Sequence, residues 1–425
     1  MTEPQGRQDA PAPVGGMARH GSHMVLSRRA LAVLAVLTLA PWCLMALALL
    51  RVIPPLAGRA RRPAGATAAG AGPWGNVEWS QITVSAPLEF VETWDTLASH
   101  ADWQFPNTTR TELEAFLKKT GLAESAVRRL MEAARQNAAI EGWAVTPPQD
   151  IVWDLPPDVR GSLYNRLALS PLNDAQCKAP RFVGGSVDEW LVGASLRPAT
   201  ASLVRRLAYR HGQFVCFSDF HLATPRLADE AEQRLLLKVL ARQSTLLVKL
   251  RVGEGDDVGP LIQYWGRGGR AKDVGPLLES LARVPGGTAI DIIHLIPRFA
   301  RRYIYTYPEP GTDEGAAGRD CHWTSLNFFA DPPDDQYASL QAAQEALQRD
   351  YYPIRQAAVL GDLVLFVAEA NKVIHSAVFI ADDILFTKNG NSAANPWMFM
   401  RLGDMKDYYV AAKPLEVRFV RRKGV

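Results

Sequence analysis

Residues 30–50 restrict the fold of this chain more than any other stretch, because these 21 residues (ALAVLAVLTLAPWCLMALALL) contain no charged side chain. Arg28-Arg29 and Arg51 bound the segment. A helix of this length spans about 30 Å, the thickness of the hydrocarbon core of a bilayer. A soluble helix would carry a polar face, and this segment has almost no polar residue. The sequence therefore predicts a transmembrane helix at residues 30–50.

A long signal peptide and a buried helical hairpin are the alternatives for this segment. No persuasive small-x-small cleavage site precedes polar sequence, which favours an uncleaved anchor. Arginines lie on both sides of the segment, so the charge bias of its flanks does not set its orientation.

The length of 425 residues is too great for one ordinary core and predicts more than one domain. Hydrophobic residues make up 48% of the chain and charged residues 21%, which are globular values. The net charge of +3 is small and gives no reason to expect nucleic acid as a partner. We predict a disordered tail (1–29), the membrane helix (30–50), a Pro/Gly/Ala linker (51–76), a mixed α/β domain (77–300) and a C-terminal domain (301–425).

The apolar patterns within the two domains predict an α+β fold. In the first domain we predict helices at about 123–136 and 229–242 and strands at 245–252 and 289–296. In the second we predict a helix that starts at Cys321, another near 337–349, and strands at 362–368, 373–380 and 384–387. A helix followed by an antiparallel sheet is typical of the α+β class. The role of residues 77–300 stays open, and a protein partner for them is one alternative.

Cys321 has the sequence surroundings of a reactive thiol. Asp320 is a good N-cap, so Cys321 should occupy the first turn of a helix, where the positive potential favours a thiolate. Trp323, Leu326 and Phe329 should bury one face of this helix. We therefore expect the thiol at the edge of the core and not inside it.

His375 lies 54 positions after Cys321 and opens a predicted strand. Val378 and Ile380 should share one face of that strand, which leaves His375 on the other. A histidine there is a candidate base for the thiol and a candidate acid for a leaving amine. Thr387 or Asn389 is predicted to orient its ring, since both share a strand face that Lys388 does not share.

Three linked motifs resemble the papain-like NlpC/P60 cell-wall peptidases over residues 312–410. They are the helix start Asp320-Cys321-His322-Trp323, the strand from Gly361 to Phe366 (GDLVLF), and the strand that opens at His375 (HSAVF). The resemblance implies a papain-like domain in which Cys321 attacks an amide and His375 moves the proton. His322 and Trp323 stand where the family has small residues, and the ungapped register places Thr387 at the third catalytic position.

The resemblance also implies a substrate, a location and a set of substrate contacts. The expected substrate is a peptidoglycan stem peptide or another amide, and no cofactor or metal is required. The expected location is the bacterial inner membrane, single-pass, with extracytoplasmic C-terminal domains. The candidate substrate contacts are His322, Trp323, Tyr307 and Lys388. Tyr303 and Tyr305 compete with Tyr307 for the family's upstream tyrosine.

Two other classes of function remain open at this stage. One is an inactive envelope protein whose papain-like domain only binds, and the other is an amidase or acyltransferase on another small substrate. Cys177 and Cys216 would form a disulfide only if the fold brought them together.

Overall fold

The computed structural model describes residues 68–87, 102–308, 319–392, 394–409 and 414–424. These residues belong to one compact unit that runs from Arg62 to Val425. The predicted tail and transmembrane helix lie outside the described residues. Within the described part of the chain, no helix is long and apolar enough to cross a membrane.

The described residues form short helices and strands throughout. The strands are β1 (Ala68–Gly72), β2 (Gly75–Val84), β3 (Trp103–Phe105), β4 (Ala134–Asn137), β5 (Gly142–Val145), β6 (Arg181–Val183), β7 (Tyr209–His211), β8 (Phe214–Cys216), β9 (Gln243–Val252), β10 (Thr288–Asp291), β11 (Tyr351–Pro353), β12 (Leu363–Ala368), β13 (Lys372–Ala381), β14 (Ile384–Lys388), β15 (Trp397–Arg401) and β16 (Glu416–Arg422). The α-helices are Arg110–Lys119, Glu124–Glu132, Gln149–Asp154, Pro157–Leu167, Asp174–Cys177, Val187–Leu191, Pro198–Leu207, Phe220–Ala223, Glu230–Leu240, Gly259–Trp265, Ala271–Leu281, Arg298–Tyr303, Cys321–Leu326, Leu340–Asp350 and Leu402–Tyr408.

The strands pair into antiparallel sheets. The largest has six strands in the order β11-β16-β12-β13-β14-β15, and a second has four in the order β1-β2-β9-β10. Two three-stranded sheets, β3-β5-β4 and β6-β8-β7, complete the set in the described residues. The predicted α+β class is confirmed at this level.

The six-stranded sheet lies at the centre because both of its faces are apolar. Along β12, Val364 and Phe366 pack into one core, and Leu363 and Leu365 pack into the other. Successive side chains of a strand point to opposite faces, so continuous apolar strands are buried on both sides. The first core joins the sheet to residues 103–240, and the second joins it to residues 246–304 and to the helix Cys321–Leu326. The domain boundary near residue 300 stays a prediction, but both cores include residues from either side of it.

Two elements end earlier than the sequence pattern predicts. The helix expected at 123–136 ends at Glu132, because Ala134–Asn137 pairs with Gly142–Val145 as a hairpin. The strand expected at 289–296 ends at Asp291, whose side chain accepts the N–H of Ile293 and starts a 3-10 turn. Local side-chain and sheet pairing outweighs helix or strand propensity at both positions.

Candidate active site

The helix Cys321–Leu326, called here the cysteine helix, begins as the sequence predicts. Asp320 is its N-cap, and one carboxylate oxygen accepts the N–H groups of His322 (2.8 Å) and Trp323 (3.0 Å). Two otherwise unpaired donors of the first turn are thereby satisfied. Trp323 and Leu326 anchor the helix in the second core. Cys321 therefore has a fixed position at the start of a short, buried helix.

The Cys321 side chain is buried within the protein, so the expectation of a thiol at the edge of the core is wrong. Only 4% of the residue is exposed. Burial raises the pKa of the thiol to about 12, and the negative charge of Asp320 acts in the same direction. The Ser376 N–H, which donates to the sulfur, and the charge of Lys388 lower the pKa of the thiol by less. The thiol is therefore protonated at neutral pH.

Ser376 connects the cysteine helix to strand β13. Its hydroxyl lies 3.3 Å from the Cys321 carbonyl oxygen, 2.9 Å from His322 Nδ1 and 2.7 Å from the Ser325 hydroxyl. The Ser376 side chain therefore faces the helix. Alternation along the strand then directs His375 to the opposite face of the sheet.

His375 is fully buried and tightly packed on that opposite face. Its Nε2 lies 3.1 Å from the Thr387 hydroxyl, and its ring stacks on Tyr409 with centroids 4.2 Å apart. Among the described residues, Nδ1 has no hydrogen-bond partner. Burial is the main cause that lowers the pKa of His375 well below its usual value, and the nearby His322 adds to it. His375 is therefore a neutral imidazole with one unpaired nitrogen.

The thiol lies against the strand that carries His375, but among the described residues His375 Nδ1 has no partner and Nε2 meets Thr387, so no hydrogen bond joins the two side chains. The sulfur accepts the N–H of Ser376, the residue that follows His375, so it lies beside the backbone of β13. The β13–β14 ladder runs from Val378–Phe386 to Ala381–Ile384 and stops short of residues 375–377. The sheet therefore leaves the Ser376 N–H free to meet the sulfur.

Thr387 and Asn389, the two candidates for orienting His375, have different neighbours. Thr387 bonds His375 directly. The Asn389 amide nitrogen instead lies 3.1 Å from the Met400 sulfur, and its oxygen accepts the Tyr409 hydroxyl at 3.3 Å. Within the described part of the chain, Asn389 is therefore linked to His375 through Tyr409.

Lys388 is fully buried, which is unusual for a lysine. Its ammonium donates to the carbonyl oxygens of Gly390 and Ser392, each at 2.9 Å, and lies 5.8 Å from the ring centroid of Trp397. Burial lowers the pKa of Lys388 to about 8, although the charges of Asp320 and Cys321 oppose this shift. Lys388 is thus near enough to Cys321 for its positive charge to lower the pKa of the thiol.

The remaining candidate contacts lie in different surroundings. Trp323 is fully buried, and its ring meets the Phe299 and Tyr303 rings. His322 is also buried, with a lowered pKa because of that burial. The Tyr307 hydroxyl points away toward the Val84 and Ala241 carbonyl oxygens, both 3.4 Å away. The structure thus brings His322 and Lys388 to the thiol, whereas Tyr303, and not Tyr307, contacts the cysteine helix.

The Gly361-Asp362 turn of the second motif has a steric reason for its glycine. Gly361 has φ +89°, and a Cβ there would collide with the Phe329 ring. Asp362 then holds Arg421 through two oxygens at 2.7 and 2.8 Å. This turn fixes the start of β12 beside the His375 strand.

Sequence reasoning missed Ser376, Tyr409 and Trp397 as parts of the site. Ser376 follows His375 directly, and this position next to a predicted base could have marked it as part of the site. Tyr409 and Trp397 lie far from Cys321 in sequence and carry no motif. Only the folded chain brings them to His375 and Lys388.

A metal ion would find one group of potential ligands in the described residues. The ligand atoms of Asp320, Cys321 and His322 lie within 4.8 Å of one another. The Asp320 carboxylate already caps the helix, and His322 Nδ1 already bonds Ser376. Cys177 and Cys216 are both free thiols, so the disulfide is not formed.

In comparisons with known proteins, no protein-family model, no curated protein and no solved structure matches this chain.

Proposed function

We propose that this protein is a membrane-anchored cysteine hydrolase that cleaves an amide bond, with Cys321 as nucleophile and His375 as base. The observation that carries the proposal is the hydrogen bonding of the His375 ring. Thr387 holds the ring through Nε2 and leaves Nδ1 unpaired, and Ser376, the next residue of the same strand, contacts the helix that starts at Cys321. A base oriented through one nitrogen, with the other available, is the arrangement that thiol catalysis needs.

The chemistry follows from these positions. The Cys321 sulfur attacks the carbonyl carbon of the amide while its proton passes to His375 Nδ1. The carbon–nitrogen bond then breaks, and His375 returns the proton to the leaving amine. Water then attacks the resulting thioester while His375 takes one of its protons. The carbon–sulfur bond breaks, and His375 returns the proton to the Cys321 sulfur, which restores the thiol and the neutral imidazole. Backbone N–H groups near Cys321 would hold the oxyanion.

Lys388 supports the first step of this reaction. The thiol is protonated in this structure because its pKa is raised to about 12. A cation next to the sulfur stabilises the thiolate as it forms. We propose that substrate brings the sulfur and His375 Nδ1 into contact, with a peptidoglycan stem peptide as the first candidate because of the motif resemblance.

The proposed anchor is the uncharged segment at residues 30–50. We propose that it holds the protein in a bacterial inner membrane with the hydrolase outside the cytoplasm. The support is the length of the segment and the fit between the proposed substrate and that side of the membrane.

A second candidate function is favoured by the burial of the pair. Cys321 is 4% exposed and His375 is fully buried, which would also suit an inactive envelope protein that binds without catalysis. An amidase or acyltransferase acting on another small substrate would use the same thiol.

The decisive experiment measures muropeptide hydrolysis and Cys321 alkylation by iodoacetamide from pH 6 to 10. The wild type should hydrolyse, and Cys321→Ala and His375→Ala should lose activity. Thr387→Val should lower kcat about ten-fold or more, while Asn389→Leu, the matched control, should change it less. A wild type that does not hydrolyse the muropeptides, with Cys321 alkylation that His375→Ala leaves unchanged at every pH, would favour the inactive binding protein.

A further inference from the structure

A cavity of about 350 Å³ lies on the His375 face of the six-stranded sheet. Tyr409 lines it, and the same ring stacks on His375. Residues of the chain before the sheet supply the other wall, among them Asn165, Arg181 and Tyr209. The volume is at the lower end of the range for small-molecule sites, about 300–1,000 Å³. The cavity is therefore large enough for one small ligand next to the catalytic candidate.

The charged side chains that line this cavity are positive. Lys178, Arg181 and His211 line it, and no aspartate or glutamate among the described residues does. Burial lowers the pKa of His211, so its ring is neutral at neutral pH and the charge comes from Lys178 and Arg181. Lys178 already pairs with Asp174 at 2.6 Å near the surface. Among the described residues, no carboxylate pairs with the partly buried Arg181 guanidinium, whose hydrogen bonds go to three carbonyl oxygens, those of Ala179, Tyr408 and Cys177. The Tyr408 ring lies 4.6 Å from the guanidinium carbon and offsets part of the cost of burying this cation, and a bound anion would offset the rest more fully.

The cavity also offers hydrogen bonds that a small anion needs. A guanidinium has five N–H groups, and Arg181 uses three of them. Side-chain amides of Gln176, Gln243 and Asn395 line the same space. A carboxylate accepts paired N–H groups from arginine with matching planar geometry. The lining therefore suits a carboxylate flanked by polar groups.

We propose that this cavity binds a small carboxylate-bearing ligand, about one amino-acid residue in size, with Arg181 as its charge partner. Tyr409 separates the bound carboxylate from His375. In the proposed hydrolase, this ligand is the part of the substrate that lies next to the cleaved amide bond. This assignment rests on the proposed function.

Cys177 provides a direct test because it lines the cavity and is only half-buried. The full-length protein is treated with an anionic and with a cationic methanethiosulfonate, and the rate at Cys177 is followed by peptide mass spectrometry. The anionic reagent should react about ten-fold faster than the cationic one. Arg181→Gln should remove this preference, and Arg181→Lys should retain most of it. Arg210→Gln is the matched control, because Arg210 donates to the Gly184 carbonyl oxygen and does not line the cavity.

A second measurement on the wild type keeps the test decisive if Arg181→Gln fails to fold. N-acetylglutamate should slow labelling of Cys177 at least five-fold at saturation, and the neutral N-acetylglutamine should not. Equal rates for the two reagents, or equal protection by the two ligands, would overturn the proposal. Cys321→Ala should keep both preferences. A protein that shows both the faster labelling by the anionic reagent and the protection by N-acetylglutamate, but hydrolyses no muropeptide, would contradict the proposed hydrolase and support the anion site.

Discussion

His375, Cys321 and Lys388 are buried together, and desolvation favours the neutral form of each. It raises the pKa of the thiol and lowers the pKa values of the imidazole and the ammonium. At neutral pH the sulfur and His375 are thus both uncharged, and proton transfer between them would create a buried ion pair. The positive charge of Lys388 lowers the cost of the thiolate half of that pair. Catalysis and stability are therefore opposed at this site.

Replacement of His375 should make the protein less sensitive to acid. The folded pKa of His375 lies well below the unfolded value of about 6.5, so below that pH the unfolded chain binds a proton that the folded chain does not. This difference lowers the free energy of unfolding by about 1.4 kcal/mol per pH unit as the pH falls. His375→Gln should flatten the dependence between pH 6.5 and 4.5, measured by urea denaturation. The exposed His294→Gln should leave it unchanged, and a slope of wild-type size in His375→Gln would contradict the assignment.

Replacement of Lys388 by methionine should stabilise the protein at neutral pH while it weakens the thiol. The folded pKa of Lys388 is about 8, below the unfolded value of about 10.4, so burial of the charge is a cost that disappears as the pH rises through this interval. Lys388→Met should raise the free energy of unfolding by about 1–3 kcal/mol at pH 7, and by less near pH 10.

The thiol supplies the second readout for the same variant. Without the neighbouring cation, alkylation of Cys321 in Lys388→Met should require higher pH than in the wild type. Lys406→Met, at an exposed lysine, is the control for a general charge effect. Destabilisation of Lys388→Met at pH 7 would show that the bonds to Gly390 and Ser392 outweigh desolvation.

At the scale of single elements, the Asp320 carboxylate affects the cysteine helix in two ways. Asp320 caps the helix through the His322 and Trp323 N–H groups, and its charge raises the pKa of Cys321. Asp320→Asn should keep the cap and lower the thiol pKa, so that Cys321 is alkylated faster at pH 8. Asp320→Ala should also remove the cap, at a cost of about 1 kcal/mol in stability. Equal alkylation rates for Asp320→Asn and the wild type would exclude the electrostatic effect.

Short-range patterns predicted the elements around the site with good accuracy. The N-cap at Asp320 and strands close to β12, β13 and β14 follow from local composition and alternation, which act over a few residues. Alternation along β13 also predicted Val378 and Ile380 on one face and His375 on the other, as the second core and the stacking of His375 on Tyr409 confirm. The same reasoning overextended the helix that ends at Glu132, because the competing hairpin forms with residues farther along the chain.

The surroundings of the thiol were not predictable from local patterns. Cys321 is buried because Ser376 packs on its helix, with Lys388 and Tyr409 nearby. These residues lie more than 50 positions away in sequence. Whether a thiol at a helix start is open or buried depends on such distant packing, so its pKa followed only from the folded structure.

At the scale of the whole molecule, the central sheet joins the two halves of the described chain. One face packs on residues 103–240 and the other on residues 246–304 and the cysteine helix. The proposed catalytic pair spans this sheet, with the helix on one face and His375 on the other. The anion cavity lies between residues from before and after position 300. Both proposed sites therefore depend on contacts between the two predicted domains.

This arrangement predicts that residues 301–425 do not fold alone. Val364, Phe366, Phe379, Leu385 and Met398 are buried in the core shared with residues 103–240. Each such side chain contributes about 1.5–3 kcal/mol when buried, so exposure of these five would cost about as much as the roughly 5–15 kcal/mol that stabilises a typical domain. A fragment of residues 68–425 should melt in one cooperative transition by circular dichroism, and a fragment of residues 301–425 should show none. Because the second fragment lacks one wall of the cavity, a cooperative melt for it would restore the boundary at residue 300 and separate the hydrolase from the anion site.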